Sequence, residues 1–145
     1  MDRWRNYFLS IAEVCARQSK DPSTKVGAVI ADRFDRVVSM GFNGLPRGVK
    51  DKAAVLKDRE VKNMVTLHAE VNAIVFAKQD VSECIIYCTH VPCSQCSALI
   101  IQAGIKEVVV GVESGKELSS AWDVSIAMTR KMFKEAGVKM VEVPR

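Results

Sequence analysis

Apolar side chains recur every three or four positions through "RWRNYFLSIAEVCARQ" (residues 3–18). Trp4, Tyr7, Phe8, Ile11, Ala12 and Cys15 fall on one stripe, which predicts a helix with a single buried face. The period then changes. "KVGAVIAD" and "RVVSMGFNG" are β-branched runs flanking a polar "DRFDR", which predicts two strands joined as a hairpin. From Leu45 to Asn63 charged residues dominate around Pro46 and Gly48, which predicts a long loop with one short helix. Loops of that length inside a domain tend to carry function. Beyond it, "AEVNAIVFAK" predicts a helix, "ECIIYC" a strand, and "CSQCSALIIQAG" a helix stopped by Gly104. "KEVVVGV" then predicts a strand, "SSAWDVSIAMTRKMFKEAG" a helix, and "VKMVEV" a last strand. Helices separate the last three strands, so these should run parallel. The whole reads as one α/β domain over residues 1–145, without repeat or linker.

Composition narrows the class. Apolar residues make up 48% and charged residues 26% of 145, the balance of a globular chain rather than a disordered one. No apolar run approaches the roughly 18 residues of a membrane span. The first helix carries acids and arginines, unlike a signal peptide, so a cytoplasmic protein with no membrane partner is expected. A net charge of +4 suits an anionic small molecule and does not point to long nucleic acid. The cysteines number five, an odd count with one C-x-x-C, which favours a reducing compartment and a metal or redox role over a disulfide frame.

The candidate chemistry lies in two short stretches. "HAEVNAI" (68–74) places His68 and Glu70 at the start of one predicted helix. "VPCSQC" places Cys93 and Cys96 at the start of the next, where the positive end of the helix dipole stabilises thiolates. His68, Cys93 and Cys96 are a ligand set suited to tetrahedral zinc. Three protein ligands leave a fourth position open, the mark of a catalytic rather than structural site. Zinc lowers the pKa of a bound water from about 15.7 towards 7. Glu70, close to the metal without ligating it, could take the proton and hand it to a substrate. Cys88 ends an apolar strand and reads as core; Cys15 and Cys84 read as packing.

In this order H-x-E…P-C-x-x-C is the signature of zinc nucleobase deaminases. The chain resembles the cytidine deaminase superfamily, and within it the deoxycytidylate (dCMP) deaminases. "SKDPSTKVGAVI" (19–30) and "GFNGLPRG" (41–48) carry the resemblance outside the zinc halves, and "PCSQCSALIIQAGIKEVV" continues it, so that it spans nearly the whole chain. It implies a three-layer α/β/α sandwich on a five-stranded mixed sheet and a homo-oligomer, hexamer or dimer. It implies one zinc per chain on His68, Cys93 and Cys96, with Glu70 as proton shuttle. The reaction implied is hydrolytic deamination of a cytosine nucleotide, dCMP to dUMP plus ammonia.

For substrate binding the resemblance implies Asn43 at the sugar, and the Ala69 N–H and Thr89 carbonyl at the pyrimidine edge. Asn43 also reads as a turn residue before Gly44. A nucleotide needs cations for its phosphate, and Lys25 and Arg47 flank the two candidate loops. Ser19, Lys20, Ser23 and His90 are weaker candidates. Regulation by dCTP with Mg²⁺ and by dTTP is also implied, with Arg47 and Lys50 on a basic loop that could serve it. Asn63 and Val65 stand where relatives carry tyrosines before the H-x-E, a departure that bears on substrate identity and regulation. Cytidine, dCTP or a modified dCMP are alternative substrates. A tRNA adenosine deaminase is a further alternative, although Asn43 and His68 stand 25 positions apart, a long connection for that group.

Overall fold

The Asp2 carboxylate caps the first helix, accepting from the N–H groups of Trp4 at 3.0 Å and Arg5 at 3.4 Å. The computed structural model describes residues 2–113 and 120–145. Helix α1 (Arg3–Ala16) buries Phe8, Leu9, Ala12 and Ala16. That face is rotated from the predicted stripe: Trp4 and Tyr7 are exposed, and Leu9 takes their place. Small residues at 12 and 16 let the helix backbone lie close to the sheet, which turns residue 9 inwards and residue 7 outwards.

Strands β1 (Gly27–Ala31) and β2 (Val37–Phe42) form the expected antiparallel hairpin. Between Leu45 and Asn63 the chain forms two helical turns rather than one, α2 (Ala53–Lys57) and α3 (Arg59–Val65, running just past the segment). Asp58 divides them. Its extended backbone ends α2, and its carboxylate accepts from the Val61 N–H at 3.1 Å to begin α3. The remaining elements are α4 (Ala69–Ala77), β3 (Ile85–Cys88), α5 (Ser94–Gln102), β4 (Glu107–Val112), α6 (Ser120–Ala136) and β5 (Lys139–Pro144). Gly104, in the left-handed region at φ 82°, stops α5 as predicted. Ser119, placed by the sequence at the start of the last helix, lies outside the described residues.

The sheet order is β2-β1-β3-β4-β5. β3 pairs antiparallel with β1, and β3, β4 and β5 run parallel, so the sheet is mixed. Alternation along the strands divides the core. Val29, Ala31, Tyr87 and Val109 meet Phe8, Leu9 and Ala12 of α1 on one face. Ala28, Ile30, Ile86, Cys88, Val108 and Val110 meet α4, α5 and Phe133 of α6 on the other. This is the three-layer α/β/α sandwich expected from the sequence.

Two glycines bring helices into backbone contact with the hairpin. A Cβ on Gly27 would lie 1.9 Å from the Ala12 carbonyl oxygen, and one on Gly41 would lie 2.4 Å from both the Ala69 oxygen and the Ala73 nitrogen. Gly41 therefore sets how closely the first turn of α4 approaches β2, and His68 is the residue on which that turn begins.

Candidate active site

His68 and Cys93 occupy equivalent places. Each is the extended residue immediately before a nine-residue helix, α4 and α5 respectively. Parallel β3 and β4 flank α5, so its N-terminus opens at the carboxyl end of β3. The start of α4 is brought to the same place by its contact with Gly41 and by a bridge in which Gly44 and Leu67 exchange N–H···O bonds of 3.0 and 2.8 Å. His68 Nδ1 is then 3.5 Å from Cys93 Sγ and 3.3 Å from Cys96 Sγ. The three donor atoms lie within 4.8 Å of one another. One nitrogen and two sulfurs at this separation fit a tetrahedral zinc with a position to spare.

Electrostatics agree with that donor set. The Cys93 thiol is pushed down to about 4, first by its hydrogen bond with Cys96 and then by His68, against the effect of burial. Cys96 is pushed up as the other partner of that bond and by burial. His68 is raised, chiefly by its hydrogen bond to Cys93. The two sulfurs and the imidazole thus bear on one another's protons, and a dication among them would hold both sulfurs as thiolates. Glu70, in the first turn of α4 and 3% exposed, is raised by burial first, with a backbone hydrogen bond, His68 and a Cys96 hydrogen bond opposing. A buried carboxyl raised in this way is suited to accepting a proton and returning it. Cys88 lies under Glu70 in the core, its thiol held well up by burial and by that carboxylate; it is not among the clustered donors.

The substrate candidates divide. Asn43 is buried and joined to the chain around it: Oδ1 accepts from the Val26 N–H at 2.8 Å, and Nδ2 donates to the Thr24 carbonyl at 2.9 Å. Its own carbonyl accepts from Ser19 Oγ at 2.8 Å. Lys25 projects, exposed, between the two residues that Asn43 grips. Ala69 is the first residue of α4, where a backbone N–H has no partner within the helix. Thr89 is fastened to Gly27, its N–H donating to the Gly27 carbonyl and its Oγ1 accepting from the Gly27 N–H, both at 3.0 Å. Its Oγ1 is also 2.9 Å from His90 Nδ1.

Arg47 and Lys20 line a cleft of about 480 Å³ with Asn43, Asp21 and Asp51. The Arg47 guanidinium lies 5.6 Å above the Phe76 ring, and Lys20 pairs with Asp51. Lys25 and Lys50 do not line this cleft, nor do the metal-donor candidates.

Other contributors carried no recognised signal in the sequence. Lys62 is buried, with Nζ 3.1 Å from Asp21 Oδ1 and 3.0 Å from Ser23 Oγ, which ties α3 to the loop before β1. Asn72 Nδ2 donates to the Phe42 carbonyl at 2.8 Å, tying α4 to the end of β2. "DPST" was readable as an Asx turn, and the Asp21 carboxylate does accept from Ser23 and Thr24 at 2.8 and 3.1 Å. Nothing local to Lys62 marked it as that acid's partner.

An α/β/α sandwich with one histidine and two cysteines converging at helix N-termini, and a buried glutamate on the adjoining turn, defines a zinc deaminase class. The chain belongs to the cytidine and deoxycytidylate deaminase family: the family model described as "Cytidine and deoxycytidylate deaminase zinc-binding region" matches residues 2–112. It is 46% identical over 144 residues to an uncharacterized deaminase in the luxG 3′ region of Aliivibrio fischeri, covering 99% of this chain and 96% of that one. It is 38% identical over 143 residues to the deoxycytidylate deaminase of Mus musculus, covering 93% of this chain and 76% of that one. Among solved structures it is similar to the apo dCMP deaminase of cyanophage S-TIM5, with a TM-score of 0.76 and 25% identity over 99% of this chain and 100% of that one.

Proposed function

We propose that this protein hydrolytically deaminates a cytosine nucleotide, dCMP to dUMP with release of ammonia. The observation that carries the reading is the meeting of His68, Cys93 and Cys96 beside the buried Glu70 carboxyl. Kinship with deoxycytidylate deaminases at 36–38% identity over 93% of the chain supports the choice of substrate. His68 Nδ1 and the two Sγ atoms are the proposed metal ligands. Zinc, when bound there, supplies a water acidic enough to act as nucleophile near neutral pH. In this reading Glu70 would carry two protons in turn from the attacking water, the first to N3 of the base and the second to the leaving amine, so that ammonia departs and the carboxyl ends as it began. The Ala69 N–H and Thr89 carbonyl present one donor and one acceptor to the pyrimidine edge, and Asn43 stands towards the sugar. Lys25 and Arg47 are the proposed phosphate cations.

Regulation by dCTP with Mg²⁺ and by dTTP belongs to the same proposal, with Arg47 on the cleft and Lys50 nearby in the chain. A nucleotide there can bias an oligomer only through unequal affinity for its two states. A single-domain, cytoplasmic homo-oligomer completes the reading; the five cysteines form no disulfide, and among the described residues no helix is long and apolar enough to cross a membrane. The test is ammonia release across cytidine, dCMP, dCTP, 5-substituted dCMP and adenosine in a tRNA anticodon stem, repeated for dCMP with dCTP and with dTTP. Turnover greatest on dCMP is expected. Equal or greater turnover on cytidine or the RNA would overturn the assignment.

A further inference from the structure

Helix α6 lies outside the sequence halves that carry the metal donors, yet it grips the cysteine loop on both sides of Cys93. The Thr129 hydroxyl, fully buried, donates to the Pro92 carbonyl at 2.9 Å. Ser125, one turn earlier, accepts from the Ser94 N–H at 2.8 Å, and its hydroxyl is 3.2 Å from Ser94 Oγ. Ser97, also fully buried, completes the set: its Oγ is 3.0 Å from Thr129 Oγ1 and 2.8 Å from the Cys93 carbonyl oxygen.

Both gripped groups lie outside the backbone hydrogen-bond ladder of α5. Pro92 precedes the capping residue, so its carbonyl has no place in the helix ladder, and it is buried. Ser94 is the first helical residue, and its N–H is one of the four without an intrahelical acceptor. The Cys93 side chain is itself engaged at 3.5 Å by the N–H of Cys96. Another helix therefore supplies the Ser94 N–H with its acceptor and the Pro92 carbonyl with its shorter bond, 2.9 Å against 3.5 Å from Ser97 Oγ within α5.

We propose that Ser125 and Thr129 are positioning residues for the metal centre. They fix the backbone of residues 92–94 so that Cys93 Sγ is presented to His68 Nδ1 and Cys96 Sγ before any ion is bound. The inference rests on the metal reading above. Residues that orient ligands in this way typically alter metal affinity by about 10–100-fold. A general contribution to folding would instead act in proportion to stability, whichever α6 residue was changed.

The experiment uses the full chain loaded with Zn²⁺. Zinc affinity and release are measured with a chromogenic chelator, and the thiolate-to-metal absorption of the Co²⁺ form is recorded, on samples confirmed as folded by circular dichroism. Thr129→Val, which keeps the shape and removes the donor, and Ser125→Ala are expected to weaken zinc about tenfold each and to shift the Co²⁺ band. Thr129→Ser should restore both. Ile126→Ala, which removes buried side chain from the same helix and no hydrogen bond to the loop, should lower thermal stability and leave zinc affinity within about twofold. Wild-type affinity in Thr129→Val, or equal weakening in Ile126→Ala, would overturn the proposal. Wild-type protein that binds no zinc would overturn the metal reading itself, a result distinct from either.

Discussion

Lys62 Nζ lies 3.1 Å from Asp21 Oδ1, and the two side chains are only 9% and 10% exposed. Breaking one partner of a buried pair is costly because the other charge stays buried, about 3–5 kcal/mol in general. Lys62→Met is expected to lose about 3 kcal/mol in urea unfolding. The pair also predicts a pH dependence. Burial works to raise the Asp21 carboxyl, but the N–H groups of Ser23 and Thr24 and the Lys62 ammonium outweigh it, and the net shift is downward. The folded state therefore releases this proton more readily than the unfolded chain does. Its contribution is complete above the unfolded value of about 3.9 and is lost as pH falls through the folded one. In Lys62→Met the acid transition should begin at a higher pH, as followed by far-ultraviolet circular dichroism.

Glu70→Gln preserves shape and removes the carboxylate. Turnover on dCMP should fall by about 10²–10⁴-fold, the usual contribution of a general acid–base group, with zinc content unchanged. Metal analysis beside steady-state kinetics checks both halves. A variant within a few-fold of wild type would move the proton-transfer role to another residue.

Each metal donor should be needed. Wild-type protein is expected to hold one zinc per chain by atomic emission, and Cys93→Ala and Cys96→Ala are expected to hold far less after dialysis against a weak chelator. Full retention in the double variant would remove the cysteines from the site. Cys88→Ala, a change in the core beneath Glu70, should retain zinc and lose about 1 kcal/mol of stability or somewhat more.

Gly41→Ala tests how the sheet positions α4. The new Cβ would meet backbone atoms of Ala69 and Ala73 at 2.4 Å, and backbone yields less easily than a side chain. A loss of about 1–3 kcal/mol is expected, together with weaker zinc binding because His68 moves with the displaced turn. Thermal unfolding and zinc titration on the same sample check it; unchanged zinc affinity alongside lowered stability would show that the turn absorbs the shift before residue 68.

Much of this arrangement was legible in the sequence. The strands are short β-branched runs bounded by polar residues, and helices separating β3, β4 and β5 dictate their parallel course. His68, Glu70, Cys93 and Cys96 stood out because soft ligands and an acid at helix starts have few other uses together. The face of α1 was misjudged because aromatic size outweighed small-residue geometry: Ala12 and Ala16 allow the close approach at Gly27, and Trp4 and Tyr7 are left outside. Lys62 keeps a lysine that relatives carry in the segment before the H-x-E, but its pairing with Asp21 was not legible, because 41 residues between partners leave no local pattern. Ser125 and Thr129 read as ordinary polar positions on a helix, since what they satisfy belongs to another helix. Asn43 fitted two readings, sugar contact and turn. Its side chain is engaged with Thr24 and Val26, which makes it a brace for the loop bearing Lys25 in addition to its proposed contact with the sugar.

His68 stands 25 residues before Cys93 and 28 before Cys96, so an ion held by all three closes that stretch of chain into a ring. Closing a ring of such length from an open coil costs about 3.5 kcal/mol of chain entropy. In the folded chain the sheet and its helices meet much of that cost, because they hold the three donor atoms within 4.8 Å of one another. An ion there closes its ring on a sheet and helices that carry their own apolar core, unlike small fingers whose core is little more than the metal site.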